Sequence, residues 1–443
     1  MPSSRAPQPP PVSVARGSVL FFASSIVGSA GFFVAALLLA RGLGPAGRGS
    51  VAFITVTALV TSRIAKAGLG QATSVLAAQR PGARGVLLSN LLSFSLFSSL
   101  VVGGAVVGVL YVLDAGAAGL EQSQLAILLA GIVATSLVDD NFLIGCGRLR
   151  EAAAISASGG WLYAVALVAA IATVGLSVDS AVVAWVAAHL TWATVLATVG
   201  ARVGGLRPAN LRLLAESVRF GVRAWLGGVS LLLNARLDQL LVGIIATDVA
   251  LGLYAVAVNA AEMLLFLPTA IATSLLPTVA REHDGASAER TLRTFRAAAV
   301  LALATIVVAA SLGWLAIPTV FGEDFRGSVE PFMWLLPGAL GYTALSIFSN
   351  SLLGSRAPGM SSLGSAMALG VGLALDIALI PVFGASGAAA AASAAFLAGG
   401  AAAAVVYRSK TGFRWRDAVP TGEDVTFLRR VAERALRRGA EAA

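Results

Sequence analysis

From Ser18 to Tyr407 the chain reads as twelve successive apolar runs, each close to the ~20 residues that an α-helix needs to cross a hydrocarbon core. The runs fall at Ser18–Ala40, Ser50–Ala78, Val86–Leu113, Gln124–Ile144, Ala152–Leu176, Ala181–Ala201, Phe220–Ala246, Ala250–Val279, Phe295–Val320, Pro331–Leu353, Met360–Phe383 and Ala385–Tyr407. Only 12% of residues are charged, against ~25% in soluble domains, which excludes an ordinary soluble enzyme. In lipid every backbone N–H and C=O must be satisfied within the span, so such runs fold as helices. The expected fold is therefore an all-α polytopic membrane protein. Residues 1–17, with Pro9, Pro10 and Pro11 in a row, read as a disordered tail. The run that follows exceeds the ~7–15 apolar residues of a signal-peptide core and is expected to be retained.

Net charge is +9, from 31 basic and 22 acidic residues. With the N-terminus in the cytoplasm, Arg80, Arg84, Arg148, Arg150, Arg202, Arg207, Arg212, Arg219, Arg281, Arg290, Arg293 and Arg296 all fall in cytoplasmic segments. The opposite side keeps only Arg41, Arg48 and Arg326 as cations, alongside Asp114, Glu121, Asp179, Asp248, Glu323, Asp324 and Glu330. The basic excess is thus a topology signal placing both termini in the cytoplasm, and it needs no nucleic-acid partner. The tail 408–443 carries an expected amphipathic helix whose basic face, Arg430, Arg434, Arg437 and Arg438, suits anionic lipid. One cysteine, Cys146, and two histidines, His189 and His283, leave no set for structural zinc. Neither metal nor cofactor is expected. No Gly-rich phosphate loop and no long loop with an acid/base constellation is present, which points away from an enzyme.

Self-similarity crosses the midpoint. Setting Gly49 on Gly252 aligns Ala52 with Ala255, and places Arg80 close to Arg281. Two parallel halves follow: a six-helix bundle at 18–202, a cytoplasmic linker at 203–219 and a second bundle at 220–407. Such repeats put a substrate site between the halves near the midplane.

Ionisable groups in mid-span are costly and mark either function or a buried partner. Arg63 and Lys66, at i and i+3, put two positive charges on one face of the second span. They read as a cationic cavity wall, since that span offers no acidic partner; the alternative is that they snorkel or pair with a carboxylate of a neighbouring helix. In the seventh span Arg223 sits one turn inside, as an interfacial anchor or a phosphate contact, followed by Asn234, Arg236 and Asp238. Asn234 and Asp238 share a face at i, i+4, lining a cavity or bridging to another helix. Asn259 and Glu262 share a face of the eighth span. Glu262 either couples to a proton or pairs with Arg236 or Arg63, and Asp376 in the eleventh span either couples or bridges. Asp139 and Asp140 are expected in interfacial ion pairs with Arg148 and Arg150, and His189 in a helix-to-helix hydrogen bond.

The stretch Leu39-Ala40-Arg41-Gly42-Leu43-Gly44-Pro45-Ala46-Gly47-Arg48-Gly49, followed by Ala67-Gly68-Leu69-Gly70-Gln71-Ala72, resembles the opening of Wzx-type bacterial polysaccharide flippases. Asp238-Gln239-Leu240-Leu241-Val242-Gly243, with Gly252-Leu253-Tyr254-Ala255 and Leu276-Pro277, is similar to their seventh and eighth spans. These flippases belong to the multidrug, oligosaccharidyl-lipid and polysaccharide (MOP) exporter superfamily. The resemblance implies two six-helix bundles around a central cavity, in the bacterial plasma membrane. It further implies a transporter, not an enzyme, that carries an undecaprenyl-diphosphate-linked oligosaccharide to the outer leaflet by alternating access, alongside polysaccharide polymerase machinery. Arg63, Lys66, Arg236 and Arg223 would hold the anionic headgroup, and Asp238, Glu262, Asp376, Asn234 and Asn259 would balance charge or couple to an ion. A multidrug antiporter of the same superfamily and a non-transporting scaffold of an assembly complex are the alternatives. The uncharged first span speaks against the former, and the mid-membrane cations against the latter.

Overall fold

A computed structural model of the chain describes residues 14–112, 121–279, 284–355 and 358–422. Among these there is no strand. The helices are α1 (Val14–Lys66), α2 (Leu69–Gln79), α3 (Arg84–Val112), α4 (Gln122–Leu137), α5 (Asn141–Gly145), α6 (Leu149–Thr173) and α7 (Val178–Gly204). They continue with α8 (Leu211–Ile245), α9 (Asp248–Val279), α10 (Asp284–Phe321), α11 (Val329–Gly354), α12 (Pro358–Ser361) and α13 (Leu363–Thr411). Nine stretches of the described residues are long and apolar enough to cross a membrane, making this a multi-pass membrane protein. Two of the nine are doubled. α1 bends at Gly44 (φ 65°) and α13 at Gly384 (φ 53°), each joining two helices without a loop. Pro45 begins the helix after the first bend, where its fixed φ and missing N–H cost nothing. The basic face of the amphipathic helix expected in the tail, Arg430 to Arg438, lies outside the described residues.

Two expected spans are interrupted. The second stops at Lys66 and restarts at Leu69, because Ala67 (φ 47°) and Gly68 (φ 72°) both adopt left-handed backbone. The fourth stops at Leu137 and restarts at Asn141. Asp139-Asp140-Asn141 is turn and cap chemistry inside an apolar run, and the Asp139 carboxylate accepts from the Asn141 N–H at 3.0 Å. Hydropathy hides both breaks, since a window average is insensitive to two or three residues.

The chain divides into two compact units. Of the described residues, 14–35, Thr61–Val112 and Glu121–Leu226 form the first, while Ala36–Val60 and those from Gly227 to Gly422 form the second. Residues 36–60, read from the sequence as part of the first bundle, therefore group with the second unit. In the first unit Leu69, Leu87, Leu88, Leu91, Phe142 and Leu196 build a core. Asn90 anchors the linker there, donating to the Asn210 carbonyl at 3.1 Å and accepting its N–H at 2.9 Å. In the second unit Leu292, Phe348, Leu352, Tyr407 and Phe413 pack together. Glycines allow helices to approach to backbone contact, as where Gly31 meets Gly160 in the first unit and Gly341 meets Leu397 in the second. Large apolar side chains such as Phe97, Val165, Val382 and Trp314 stand on the exterior, as a lipid-facing surface requires.

Candidate functional site

In the second unit α8, α9 and α13 bring together most of the polar mid-span residues. Asn234 and Asp238 lie one turn apart on α8 and face α13. The Asn234 side-chain amide donates to the Ser365 carbonyl at 2.9 Å. Asp238 and Asp376 line one small cavity with Asn234, Leu237, Gly372 and Phe396. Its volume of about 20 Å³ exceeds the ~10–15 Å³ that a single water occupies. The Asp238 carboxylate accepts the hydroxyl of Tyr254, a residue of α9 that is wholly buried, and the N–H of Gln239 at 2.7 Å. Asp376 is only 4% exposed, and its Oδ1 has no hydrogen-bond partner among the described residues. An ionised carboxylate in such a place needs a compensating cation, which a proton can supply.

Arg236 is not among the residues that line this cavity. Its Nη1 meets the Glu262 carboxylate of α9 at 2.6 Å and also donates to the Ala235 carbonyl at 3.2 Å. Of the open readings for Glu262, the pair with Arg236 is the one formed. Asn259 is half-buried one turn earlier on α9.

The first unit holds Arg63 and Lys66 at the end of α1, and they behave differently. Lys66 is buried and bonded to the broken fourth span, donating to the Val138 carbonyl at 2.7 Å and to Asp139 at 2.9 Å. Both side chains are about 5% exposed: 6% for Lys66 and 5% for Asp139. Lys66 therefore has the acidic partner that its own span lacks, and the cation satisfies the carbonyl freed by the helix break. Arg63 is exposed and its side chain has no bonded partner among the described residues, while its carbonyl accepts the Trp225 indole N–H at 3.0 Å. Arg223 lies in α8 with its side chain outside the described residues.

Two further expectations are corrected. Asp139 and Asp140 do not pair with Arg148 and Arg150: Asp139 takes Lys66, Asp140 accepts the Ser156 hydroxyl at 2.8 Å, and Arg148 pairs with Glu151 at 2.9 Å. Sequence proximity favoured the arginines, but the break at 138–140 turns Asp139 inward. His189 bonds within its own helix, Nδ1 to the Trp185 carbonyl at 2.9 Å, between the rings of Trp185 and Trp192. Tyr254 is the residue the sequence reading passed over. Its signal was a lone polar aromatic at the i, i+2 position after Gly252, which by itself points to no partner.

Among the described residues no three acidic, His or Cys side chains cluster as a metal set. The arrangement offers a guanidinium held at one end by a carboxylate, and two carboxylates lining one small cavity. The family model described as polysaccharide biosynthesis protein matches residues 38–330, two thirds of the chain. The chain belongs to that polysaccharide biosynthesis family. No curated protein sequence matches it. Among solved structures, this family member is similar in fold to the lipid II flippase MurJ in an inward closed conformation, with 14% identity and a TM-score of 0.69 over 91% of this chain and 88% of that one. It is similar to an inward-facing multidrug resistance MATE family transporter of the MOP superfamily, with 14% identity and a TM-score of 0.66 over 89% and 98%. A MOP superfamily transporter from Pyrococcus furiosus gives 15% identity and a TM-score of 0.58 over 90% and 96%. The fold is thus that of MOP superfamily transporters.

Proposed function

We propose that this member of the polysaccharide biosynthesis family is a flippase that moves an undecaprenyl-diphosphate-linked oligosaccharide from the inner to the outer leaflet of the bacterial plasma membrane. The observation that carries the reading is a polysaccharide biosynthesis sequence match on a transporter fold whose polar residues lie within apolar helices. A diphosphate presents several anionic oxygens in geometry that suits a guanidinium. Arg236, Arg63 and Arg223 are each candidate cations for it. Lys66, locked to Asp139, supports helix geometry instead of touching the headgroup. The cavity between Asp238 and Asp376 is the coupling site, taking a proton or a small cation, with Asn234 bracing α8 and Asn259 beside Glu262. The first span contributes no charge to coupling. Both termini are cytoplasmic, the basic tail rests on anionic lipid, and the product passes to polymerase machinery on the far side.

The test is deletion of the gene in its host, followed by mass spectrometry of lipid-linked intermediates. Accumulation of an undecaprenyl-diphosphate oligosaccharide, with loss of a surface polymer, is the expected result and identifies the glycan. An unchanged lipid pool in a host without a second copy overturns the reading in favour of a multidrug antiporter, which altered drug susceptibility would reveal.

A further inference from the structure

Among the described residues, two ion pairs within the spans differ in a way that separates architecture from recognition. In Lys66–Asp139 the side chains are 6% and 5% exposed, and both partners carry further hydrogen bonds. In Arg236–Glu262 they are 25% and 39% exposed. The second contact is also incomplete. Only Nη1 of Arg236 reaches Glu262, through Oε1 alone, while Nε, Nη2 and Oε2 have no partner among the described residues. An arginine fork delivers its full strength to an anion that accepts two parallel N–H bonds. Glu262 accepts one.

We propose, on the reading that the substrate carries a diphosphate, that Glu262 is a placeholder on the anion-binding face of Arg236, displaced when a phosphate engages the guanidinium fork. A placeholder sets a threshold. A monoanion that offers one weak contact gains too little to displace a tethered carboxylate, whereas a diphosphate brings more charge and a bidentate geometry, so specificity comes from a competing interaction as well as an attractive one. Asn259, three residues earlier on the same face of α9, is spaced to receive the released carboxylate. The placeholder also keeps Arg236 charge-balanced between substrates, which matters in a region where an unpaired charge is costly. Lys66 cannot act this way, because its partner is enclosed and the helix break depends on it.

The experiment is calorimetric titration of the purified full chain with inorganic pyrophosphate, and with acetate as the monoanion. Glu262→Gln is expected to bind pyrophosphate about fivefold more tightly than the wild type, the order set by losing a half-exposed ion pair, and to begin binding acetate. Arg236→Gln is expected to lose pyrophosphate binding, and the double variant to match it. Glu262→Asp, which withdraws the carboxylate by one methylene, should fall between wild type and Glu262→Gln; it serves where the glutamine variant is unstable. Pyrophosphate binding by the wild type that Glu262→Gln leaves unchanged or weakens, at an unaltered melting temperature, overturns the placeholder and leaves the flippase reading standing. A gain that persists without Arg236 overturns it as well. Absence of pyrophosphate binding in every form overturns both.

Discussion

Gly49 and Gly252 face each other in a reciprocal backbone-to-backbone contact. A Cβ on Gly49 would overlap the carbonyl oxygen of Asp248, and one on Gly252 would overlap that of Pro45, each four residues before the opposing glycine. The contact is reciprocal, and these are the two positions that the internal repeat aligns. Neighbouring bonds reinforce it: the Ser50 hydroxyl donates to Asp248 at 2.9 Å, and Arg41 donates to the carbonyls of Val320 and Thr319 at 2.9 and 2.8 Å. Residues 36–60 are held to the second unit by backbone proximity that no larger residue permits.

Gly49→Ala and Gly252→Ala should each destabilise the protein by about 1–3 kcal/mol or more, the usual cost of overpacking a rigid contact. Gly104→Ala, in α3 with open space around the position, should instead be neutral or stabilising, by up to about 1 kcal/mol. Thermal unfolding of the three purified variants measures this. Equal melting temperatures for all three would mean that the crossing is loose.

Lys66→Met leaves the Asp139 carboxylate enclosed without its cation, and Asp139→Leu does the converse. Each should cost about 3–5 kcal/mol, while the double variant should recover most of that, because an apolar pair replaces a buried ion pair at little cost. The measurement is the yield of folded protein in membranes together with melting temperature. A single Lys66 variant with normal stability but impaired binding would return this residue to the headgroup site.

Asp376→Asn keeps side-chain volume and removes the charge, so stability should stay within about 0.5–1 kcal/mol of wild type. Transport should lose its response to an imposed ion gradient. Asp238→Asn should act in the same direction, since both carboxylates line one cavity. Proteoliposomes carrying a fluorescent lipid diphosphate, with proton and sodium gradients applied in turn, read both the effect and the ion. An undiminished gradient response in both variants removes these carboxylates from coupling.

Arg80 and Glu216 form a bidentate pair at 2.8 and 2.6 Å, with each side chain about half exposed. The hydrogen bonds from Arg80 hold the Glu216 carboxyl below its ordinary value of 4.5. A depressed carboxylate contributes stability that is present above the unfolded value and lost as pH falls through the folded one. Glu216→Gln should therefore differ from wild type at pH 7, and the difference should shrink as pH falls below that ordinary value and vanish once pH is below the depressed one. It should also vanish at about 1 M salt, where the screening length is ~3 Å. A gap that survives both conditions would assign the effect to packing.

The helical membrane class was legible in the sequence because the requirement behind it is local: a run of apolar residues must satisfy its own backbone, whatever surrounds it. The mid-span charges were legible too, as the residues worth attention. Their partners were not. Lys66 and Asp139 are 73 residues apart, and Arg236 and Glu262 are 26 apart. The second pair joins consecutive helices, which the sequence could offer as an option; the first depends on which helices become neighbours and on two breaks that bend Asp139 toward Lys66. An apolar exterior removes the usual amphipathic signal of the buried face, so which side of a helix turns inward is left to packing. Length and hydropathy determined that the chain crosses the membrane as helices. Only the tertiary structure decided which of its charges are locked into the architecture and which stay accessible, because an ion pair's exposure is a property of the neighbours that close around it.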